Sequence, residues 1–273
     1  MIRNHRRAAV LLMMIGLHIP PPSHDEARLL ALINSDRAGA GLTTLAWDPT
    51  LARMARAHAA DMAAAGRISH LSSADGASFE TRLGRSELRV RAAAENVARD
   101  RDVTSAHQSL MASPGHRKNL LDPDLTAVGL GIVATRDEGI VYVVEDFAAP
   151  IAALSDVEAR RTIERALFEA ARSGMLLPND AALSGRLAKV VESLVAADSV
   201  EGTGGSIPGP AWLYTFTTVD PAVLPEEIKD RLSRARGYGL AVVYRRTAAH
   251  PLGVYWVALA LSSGGDDLMI QGP

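Results

Sequence analysis

Residues 113–120 read Ser113-Pro114-Gly115-His116-Arg117-Lys118-Asn119-Leu120, and no other stretch of the chain is as informative about the fold. Proline presets its own backbone angle and glycine tolerates conformations that other residues avoid, so Ser-Pro-Gly favours a tight turn. The segment therefore predicts that one helix ends near Ala112 and that a short helical segment carrying His116 follows. Taken alone, His116 has an ordinary interpretation as a surface histidine near a helix end.

Two more polar residues stand out upstream of this segment. His70 follows a helix that Asp48-Pro49 opens, with Asp as N-cap and Pro at the first helical position, and that Gly66 ends. Glu95 lies between small and apolar neighbours, where a buried carboxylate would require a partner. The stretch from Arg67 to Asp102 is otherwise expected to be irregular. The spacing of these residues is not a local metal motif, so a shared site and three unrelated structural roles both stay open.

Other elements follow from local signals. A capping box at Ser23-His24-Asp25-Glu26 predicts a helix through about Arg37. Another helix is predicted over 104–112, and two strands are predicted over 128–135 and 140–147, on either side of a turn at 136–139.

The composition is that of a folded protein without thiol chemistry. The chain has 273 residues, of which 48% are hydrophobic and 22% charged, and this excludes disorder throughout. At about 100–200 residues per domain, two domains are expected, with one large α/β unit as the alternative. The net charge of −2 gives no overall field for nucleic acid, so no nucleic-acid partner is expected. Cysteine is absent, so disulfides, thiolate ligands and a cysteine nucleophile are excluded.

Residues 1–22 are typical of an export signal. Three arginines precede an uncharged run of twelve residues, Ala8 to Ile19, which ends at Pro20-Pro21-Pro22. This run is too short to cross a bilayer about 30 Å thick, which needs roughly 20 residues, so a secretory signal is favoured. Cleavage near Ser23, retention as an N-terminal anchor and a buried N-terminal helix stay open. The expected location is secreted or periplasmic, that is, extracytoplasmic, with membrane contact only through an uncleaved segment.

Taken together, these motifs resemble the bacterial CAP domain, also called SCP-like, of the superfamily of cysteine-rich secretory proteins, antigen 5 and pathogenesis-related 1 proteins. The resemblance runs over about residues 25–150, and residues 113–120 are its most specific part. In family order it includes Asp48-Pro49, Ser69-His70, Asp75-Gly76, Glu95-Asn96, residues 113–120 and Gly129-Leu130-Gly131. It implies an α+β fold, a three-layer α-β-α sandwich whose central cleft holds two histidines and acidic residues.

The resemblance also implies which residues form the cleft: His70 and His116 as its histidines, and Glu95 as the acidic residue of the Glu-Asn motif. Two neutral imidazoles can hold one divalent cation, with Zn²⁺ the natural candidate. Glu95 would then act as general base toward a bound water, or orient a histidine through its second ring nitrogen. The candidate catalytic residues are therefore His70, Glu95 and His116, and the candidate metal ligands are His70 and His116.

The sequence departs from the family pattern at three positions. Ser113 stands where many eukaryotic members have a second acidic residue, Leu110 where tryptophan is usual, and Glu145 where relatives often have glutamine. Glu145 would therefore bring another carboxylate near the cleft. His58 is interpreted as packed within its helix and His107 as solvated. A solvated charged face is expected for Arg82, Arg85, Arg89 and Arg91, which alternate with Glu80 and Glu87.

The second half of the chain repeats features of the first. Ser23 and Asp48 recur 132 residues later as Ser155 and Asp180, again at the start of expected helices. The hairpin sequence 128–133 recurs 110 residues later at 238–243, and 141–144 is aligned with 254–257. Gly202 and Glu226 stand where the two histidines would be. Residues 151–273 are interpreted as a shortened, degenerate CAP-like repeat, with an unrelated α+β domain as the alternative.

These observations predict a signal or anchor over 1–22, a CAP domain over 23–150 and a second α+β domain over 151–273. The expected function is an exported protein whose His/Glu cleft binds a divalent metal or a small ligand, with hydrolysis as one option. The alternative is a non-catalytic module that binds lipid or protein, with a vestigial histidine cleft. Family activities range from proposed proteolysis to sterol and lipid binding, so whether the protein is an enzyme stays open.

Overall fold

The computed structural model describes residues 21–135, 139–171, 177–201 and 211–263. Residues 1–20 of the predicted signal lie outside the described residues, and Gly202 also lies outside them. The N-terminal unit, residues 21–150, contains α1 (His24–Gly39), β1 (Ala46–Trp47), α2 (Pro49–Ala65), α3 (Phe79–Gly84), β2 (Val90–Asp100), α4 (Val103–Ala112), α5 (Pro114–Leu120), β3 (Ala127–Thr135) and β4 (Ile140–Pro150). The C-terminal unit, residues 151–263, contains α6 (Asp156–Ala170), α7 (Ala181–Ala197), β5 (Ala211–Thr218), α8 (Glu226–Leu232), β6 (Ala235–Arg245) and β7 (Val254–Ser263).

The N-terminal unit is a three-layer α-β-α sandwich, as expected. Its sheet has the order β1-β3-β4-β2, in which β3, β4 and β2 are antiparallel and β1 is parallel to β3. Helix α2 packs on one face, while α1, α4 and α5 cover the other. Strand β2 replaces part of the stretch that was expected to be irregular, and it forms one edge of the sheet.

Helix α2 lies unusually close to the sheet. It begins where expected, because the Asp48 side chain accepts hydrogen bonds from the first free amides of the helix. A Cβ on Gly129 would lie 2.0 Å from the nitrogen of Ala52, and one on Gly131 would lie 2.2 Å from the carbonyl carbon of Ala55. Only glycine therefore permits this approach, which brings the inner face of α2 over β3 and β4.

The C-terminal unit has the same order of layers. Its sheet is β5-β7-β6, with α7 on one face and α6 and α8 on the other. Asn179 pairs with Tyr238 in parallel, as Trp47 pairs with Val128, and these pairs are related by the offsets 132 (179 − 47) and 110 (238 − 128).

The hairpin register corrects one part of the sequence alignment between the two units. Gly129 is paired with Asp146, and its counterpart Gly239 is paired with Ala260. With Gly129 aligned on Gly239, these pairings align Asp146 with Ala260, an offset of 114 (260 − 146), whereas the expected alignment of 141–144 with 254–257 has an offset of 113 (254 − 141). A one-residue slip exchanges the two faces of a strand, so this correction decides which residues correspond.

Candidate functional site

Strand β2 places the Glu-Asn motif across the sheet. Successive side chains of a strand point to opposite faces, so Glu95 and Asn96 serve different layers. Glu95 lies on the α2 side, where its carboxylate is 4.0 Å from Nε2 of His58. Asn96 lies on the α5 side, where its amide donates to the carbonyl oxygen of His116 at 3.2 Å. The motif thus reaches the α2 side of the sheet through Glu95 and, through Asn96, the helix α5 that carries His116.

Glu95 is buried, and each of its two carboxylate oxygens has a close charged or chargeable partner. Its Oε1 is 2.9 Å from Nδ1 of His70, and its Oε2 forms an ion pair with Arg82. Arg82 also donates to the carbonyl oxygens of His70 and Ala77, both at 3.0 Å. The carboxylate is therefore compensated, and the arginine fixes both the carboxylate and the loop that carries His70.

The two candidate histidines have opposite shifts of pKa. The hydrogen bond to Glu95 is the largest cause that raises the pKa of His70, against an opposing effect of burial. Burial is the larger cause that lowers the pKa of His116, and the charge of His70 lowers it further. His116 therefore lies within the electrostatic field of His70, although 56% of the His70 side chain is exposed.

Amide side chains attach α5 to the sheet. The Asn96 amide donates both to the His116 carbonyl and, at 3.0 Å, to Oε2 of Glu145. Asn119 donates to the Asn96 side-chain oxygen at 2.9 Å. The short helix predicted from residues 113–120 is confirmed, and its asparagine has a structural purpose: it holds the helix against β2.

Sequence reasoning missed Asp146, which lies directly opposite Glu95 in the β2–β4 ladder. The Asp146 side chain is fully buried, and burial raises its pKa well above the usual range, with the charge of Glu95 raising it further. Two neighbouring carboxyl groups away from water favour one bound proton. Asp146 is therefore harder to ionise than an exposed aspartate, because its charge would lie beside that of Glu95.

Glu145 was expected to bring a carboxylate near the cleft, and its position is different. It is fully buried on the Asn96 side of the sheet, because it is paired with Asn96 rather than with Glu95. Burial raises the pKa of Glu145 to about 7, against an opposing hydrogen bond from Asn96. Glu145 therefore supports the α5 side and does not join Glu95.

The remaining histidines and arginines follow the sequence-based expectations only in part. His58 is packed within its helix as expected, and its Nε2 is 2.7 Å from the Ser69 carbonyl oxygen. The prediction that His107 is solvated was wrong: it is buried, with Nε2 2.8 Å from a carboxylate oxygen of Asp36. The charged face was predicted correctly for Arg85 and Arg91, which are exposed, and wrongly for Arg82 and Arg89, which make specific contacts.

Metal-binding capacity is limited in the part of the chain that the structure describes. Among those residues, no three histidine, aspartate or glutamate side chains are grouped so that they could hold a metal ion. His70 and His116 could supply two imidazoles, whereas Glu95 is engaged by His70 and Arg82. In the same described ranges, no helix is long and apolar enough to span a membrane.

Residues 30–147 match the family model described as CAP, the cysteine-rich secretory protein family. The N-terminal unit is a CAP domain. Its sequence is 33% identical over 109 residues to YkwD of Bacillus subtilis, covering 40% of this chain and 42% of that protein. It is 36% identical over 109 residues to the B. subtilis membrane protein YlbC, covering 40% of this chain and 31% of that one. The chain thus spans less than half the length of either curated relative.

Solved structures also resemble the CAP domain. An extracellular SCP-domain protein from Bacillus anthracis has 30% identity and a TM-score of 0.40, covering 48% of this chain and 45% of that one. An outer surface protein from Borrelia burgdorferi has 22% identity and a TM-score of 0.44, covering 49% of this chain and 98% of that one.

Proposed function

We propose that the CAP domain is an exported ligand-binding domain whose ligand contacts His70 and His116 beside the edge strand β2. One observation carries this proposal: buried Glu95 holds Nδ1 of His70 at 2.9 Å while more than half of the histidine side chain stays exposed. A neutral ring that donates from Nδ1 has an acceptor at Nε2. The carboxylate thus orients one ring nitrogen toward a ligand.

A divalent cation, with Zn²⁺ the first to test, is the ligand that this donor set fits best. His70 and His116 would hold it, and Glu95 would orient His70 from behind in the arrangement common among metal-binding histidines. A bound cation would supply a Lewis acid that polarises a water or carbonyl oxygen. Catalytic zinc sites usually have three protein ligands, and Arg82 adds a positive charge close by, so we expect weak binding.

The same contacts favour binding over hydrolysis. Glu95 is 7% exposed and both of its oxygens are engaged, by His70 and by Arg82, so a general base at this position would first have to lose a partner. Of the two roles considered for Glu95, we therefore propose the orienting one. His70 and His116 are the residues proposed to touch the ligand.

Calorimetric titration with Zn²⁺ tests this proposal. We expect the wild-type chain to bind and the double variant His70→Ala/His116→Ala to bind at least about tenfold more weakly, because both proposed ligands are lost. Glu95→Gln should weaken binding by about 10–100-fold, as is usual when the partner of a ligating histidine is removed. His24→Ala is the matched control, since that histidine is 92% exposed and lies outside the site. Equally weak binding by the wild type and the double variant would show that the metal proposal is wrong.

The second candidate is a non-catalytic module that binds lipid or protein, with the histidines vestigial. In this candidate, an apolar surface between the two units would bind the partner. Leu252 of the C-terminal unit packs there against the core around Leu51 and Phe79, which disfavours this candidate. Unchanged Zn²⁺ binding in the double variant would favour it again.

Export is proposed on the strength of residues 1–22 alone, and detection of the mature chain outside the cytoplasm tests it. We also propose domain limits of 23–150 and 151–273.

We propose that the second domain is a degenerate CAP-like repeat. Three features support this: the shared order of layers, the parallel pair Asn179–Tyr238, and the close contact of Gly239 with Leu183, which parallels that of Gly129 with Leu51. With the offset of 114, Glu145 and Asp146 correspond to Leu259 and Ala260. The two buried carboxyl residues of the CAP domain therefore have apolar counterparts in the second domain. An experimental structure without the Asn179–Tyr238 pair would contradict the repeat.

A further inference from the structure

The β6–β7 loop of the C-terminal unit, residues 246–253, contacts the N-terminal unit through Arg246. Its guanidinium donates hydrogen bonds to three carbonyl oxygens: those of Gly84, of Ser86 at 2.9 Å and of Leu88 at 2.9 Å. Gly84 is the last residue of α3, and the other two belong to the connection between α3 and β2. A guanidinium at this point supplies donors to carbonyl oxygens that the end of the helix leaves without an intrahelical partner.

Arg89 makes the reciprocal contact from the same connection. Its Nη1 donates to the carbonyl oxygen of Leu154 at 2.6 Å and to the hydroxyl oxygen of Tyr255 at 2.7 Å. Its guanidinium carbon lies 3.7 Å from the ring centroid of Tyr244, which is a close cation–π contact. Two arginines, Arg246 from the C-terminal unit and Arg89 from the segment itself, therefore fasten residues 84–89 to the C-terminal unit.

The loop has an apolar contact and internal support as well. Leu252 packs against the cluster that contains Leu83 and Val90, the residues that flank the held segment. Within its own unit, the loop is fixed by Asp198, which accepts hydrogen bonds from the Thr247 hydroxyl and, at 2.6 Å, from an amide of the loop. The loop is therefore held by contacts within its own unit as well as by its contacts with the N-terminal unit.

The held segment connects the two residues that complete the site. Arg82 lies two residues before Gly84 on α3, and Glu95 lies on the strand that the segment enters. Arg82 must stay on Glu95 for the carboxylate to remain compensated and to orient His70. We infer that the β6–β7 loop is an intramolecular positioning element, which fixes α3 against β2 and so keeps the Arg82–Glu95–His70 chain in place.

This inference gives the C-terminal unit a role that does not require a site of its own. The loop connects two strands of the C-terminal sheet and contacts the end of α3 through Arg246. The ligand-binding side chains all belong to the CAP domain. The positioning role rests on the contacts around Glu95 and not on metal binding. Hydrogen exchange and NMR on the metal-free chain can therefore test it.

Hydrogen exchange on the full chain tests the positioning role. We expect Arg246→Ala to reduce amide protection in peptides covering 79–90 by about tenfold or more, because three hydrogen bonds to a charged group are lost. Peptides from β3 and β4 should keep their protection. Arg245→Ala is the matched control, since this exposed neighbour contacts Asp156 and Tyr244 of its own unit. Leu252→Ala, which removes only the apolar contact, should give a smaller loss in the same peptides.

A second readout separates positioning from simple tethering. At a pH where His70 is neutral, nitrogen-detected NMR of the wild type should show one tautomer, with the proton on Nδ1 facing Glu95. Arg246→Ala should convert this signal to a tautomer mixture, and Arg246→Lys should restore it in part. The inference is overturned if protection over 79–90 is unchanged, or if it falls while the His70 tautomer does not change. If Arg246→Ala does not fold, Leu252→Ala decides by the same two measurements.

Discussion

Replacing Arg37 by leucine should lower the free energy of unfolding by about 3–5 kcal/mol, since it removes a buried charge that four carbonyl groups depend on. Arg37 is fully buried near the end of α1. Its guanidinium donates to Thr43, Leu120, Asp122 and Leu125 at 2.9–3.1 Å, all through backbone oxygens. Leucine fills part of the volume and leaves those carbonyls without a donor.

The loss of stability should depend on the planar guanidinium of Arg37, whose nitrogens donate to four carbonyl oxygens at once. Lysine keeps the charge but presents one nitrogen, so Arg37→Lys should recover only a small part of the stability. Arg28→Ala on the same helix is the control, because Arg28 is exposed and its removal should change stability by less than about 0.5 kcal/mol. Urea denaturation followed by circular dichroism measures all three. A loss below about 1 kcal/mol for Arg37→Leu would contradict this account.

Arg37 also bears on the site. Leu120 ends α5, the helix that carries His116. The hydrogen bond from Arg37 to the Leu120 carbonyl oxygen therefore holds the end of this helix. On the sheet side, the same helix is held by Asn96 and Asn119. His116 is therefore positioned by contacts to its backbone and to neighbouring residues of its helix.

Features set by neighbouring residues were predictable from the sequence. The capping boxes at Ser23 and Ser155 and the cap at Asp48 are satisfied within three residues, so their signals are local. The β3–β4 hairpin and the end of α4 were also predictable, because turn residues next to them in the sequence mark both features. The CAP resemblance supplied what local signals do not provide, namely that His70, Glu95 and His116 come from separate elements.

The partners of Glu95 depend on pairing over long sequence distances. Burial of Glu95 predicted that a partner exists, but Arg82 alternates with acidic residues in a pattern typical of a solvated face. Asp146 lies 51 residues (146 − 95) from Glu95, and only the register of β2 on β4 brings the two together. Because Glu145 and Asp146 are adjacent on one strand, the choice between them required knowing which face β4 turns toward α2.

Glu145→Gln should make the protein more stable at pH 8 by roughly 3 kcal/mol while changing little at pH 4.5. The pKa of Glu145 is raised to about 7 from an ordinary 4.5, and one pKa unit corresponds to about 1.36 kcal/mol. The folded state binds this proton more tightly than the unfolded state, so the free energy of unfolding falls as pH rises between these two values. Glutamine does not titrate and keeps an oxygen that can accept from Asn96.

The measurement compares unfolding free energies of the wild type and the variant from pH 4.5 to pH 8. Asp146 also has a raised pKa, so both curves should slope downward, and only their divergence reports Glu145. Glu87→Gln is the control, because that carboxylate is exposed and its curve should run with the wild type. Parallel curves for Glu145→Gln and the wild type would show that Glu145 is not held neutral. Divergence would place the ionisation directly beneath Asn96, so that rising pH charges the side of the sheet to which His116 is attached.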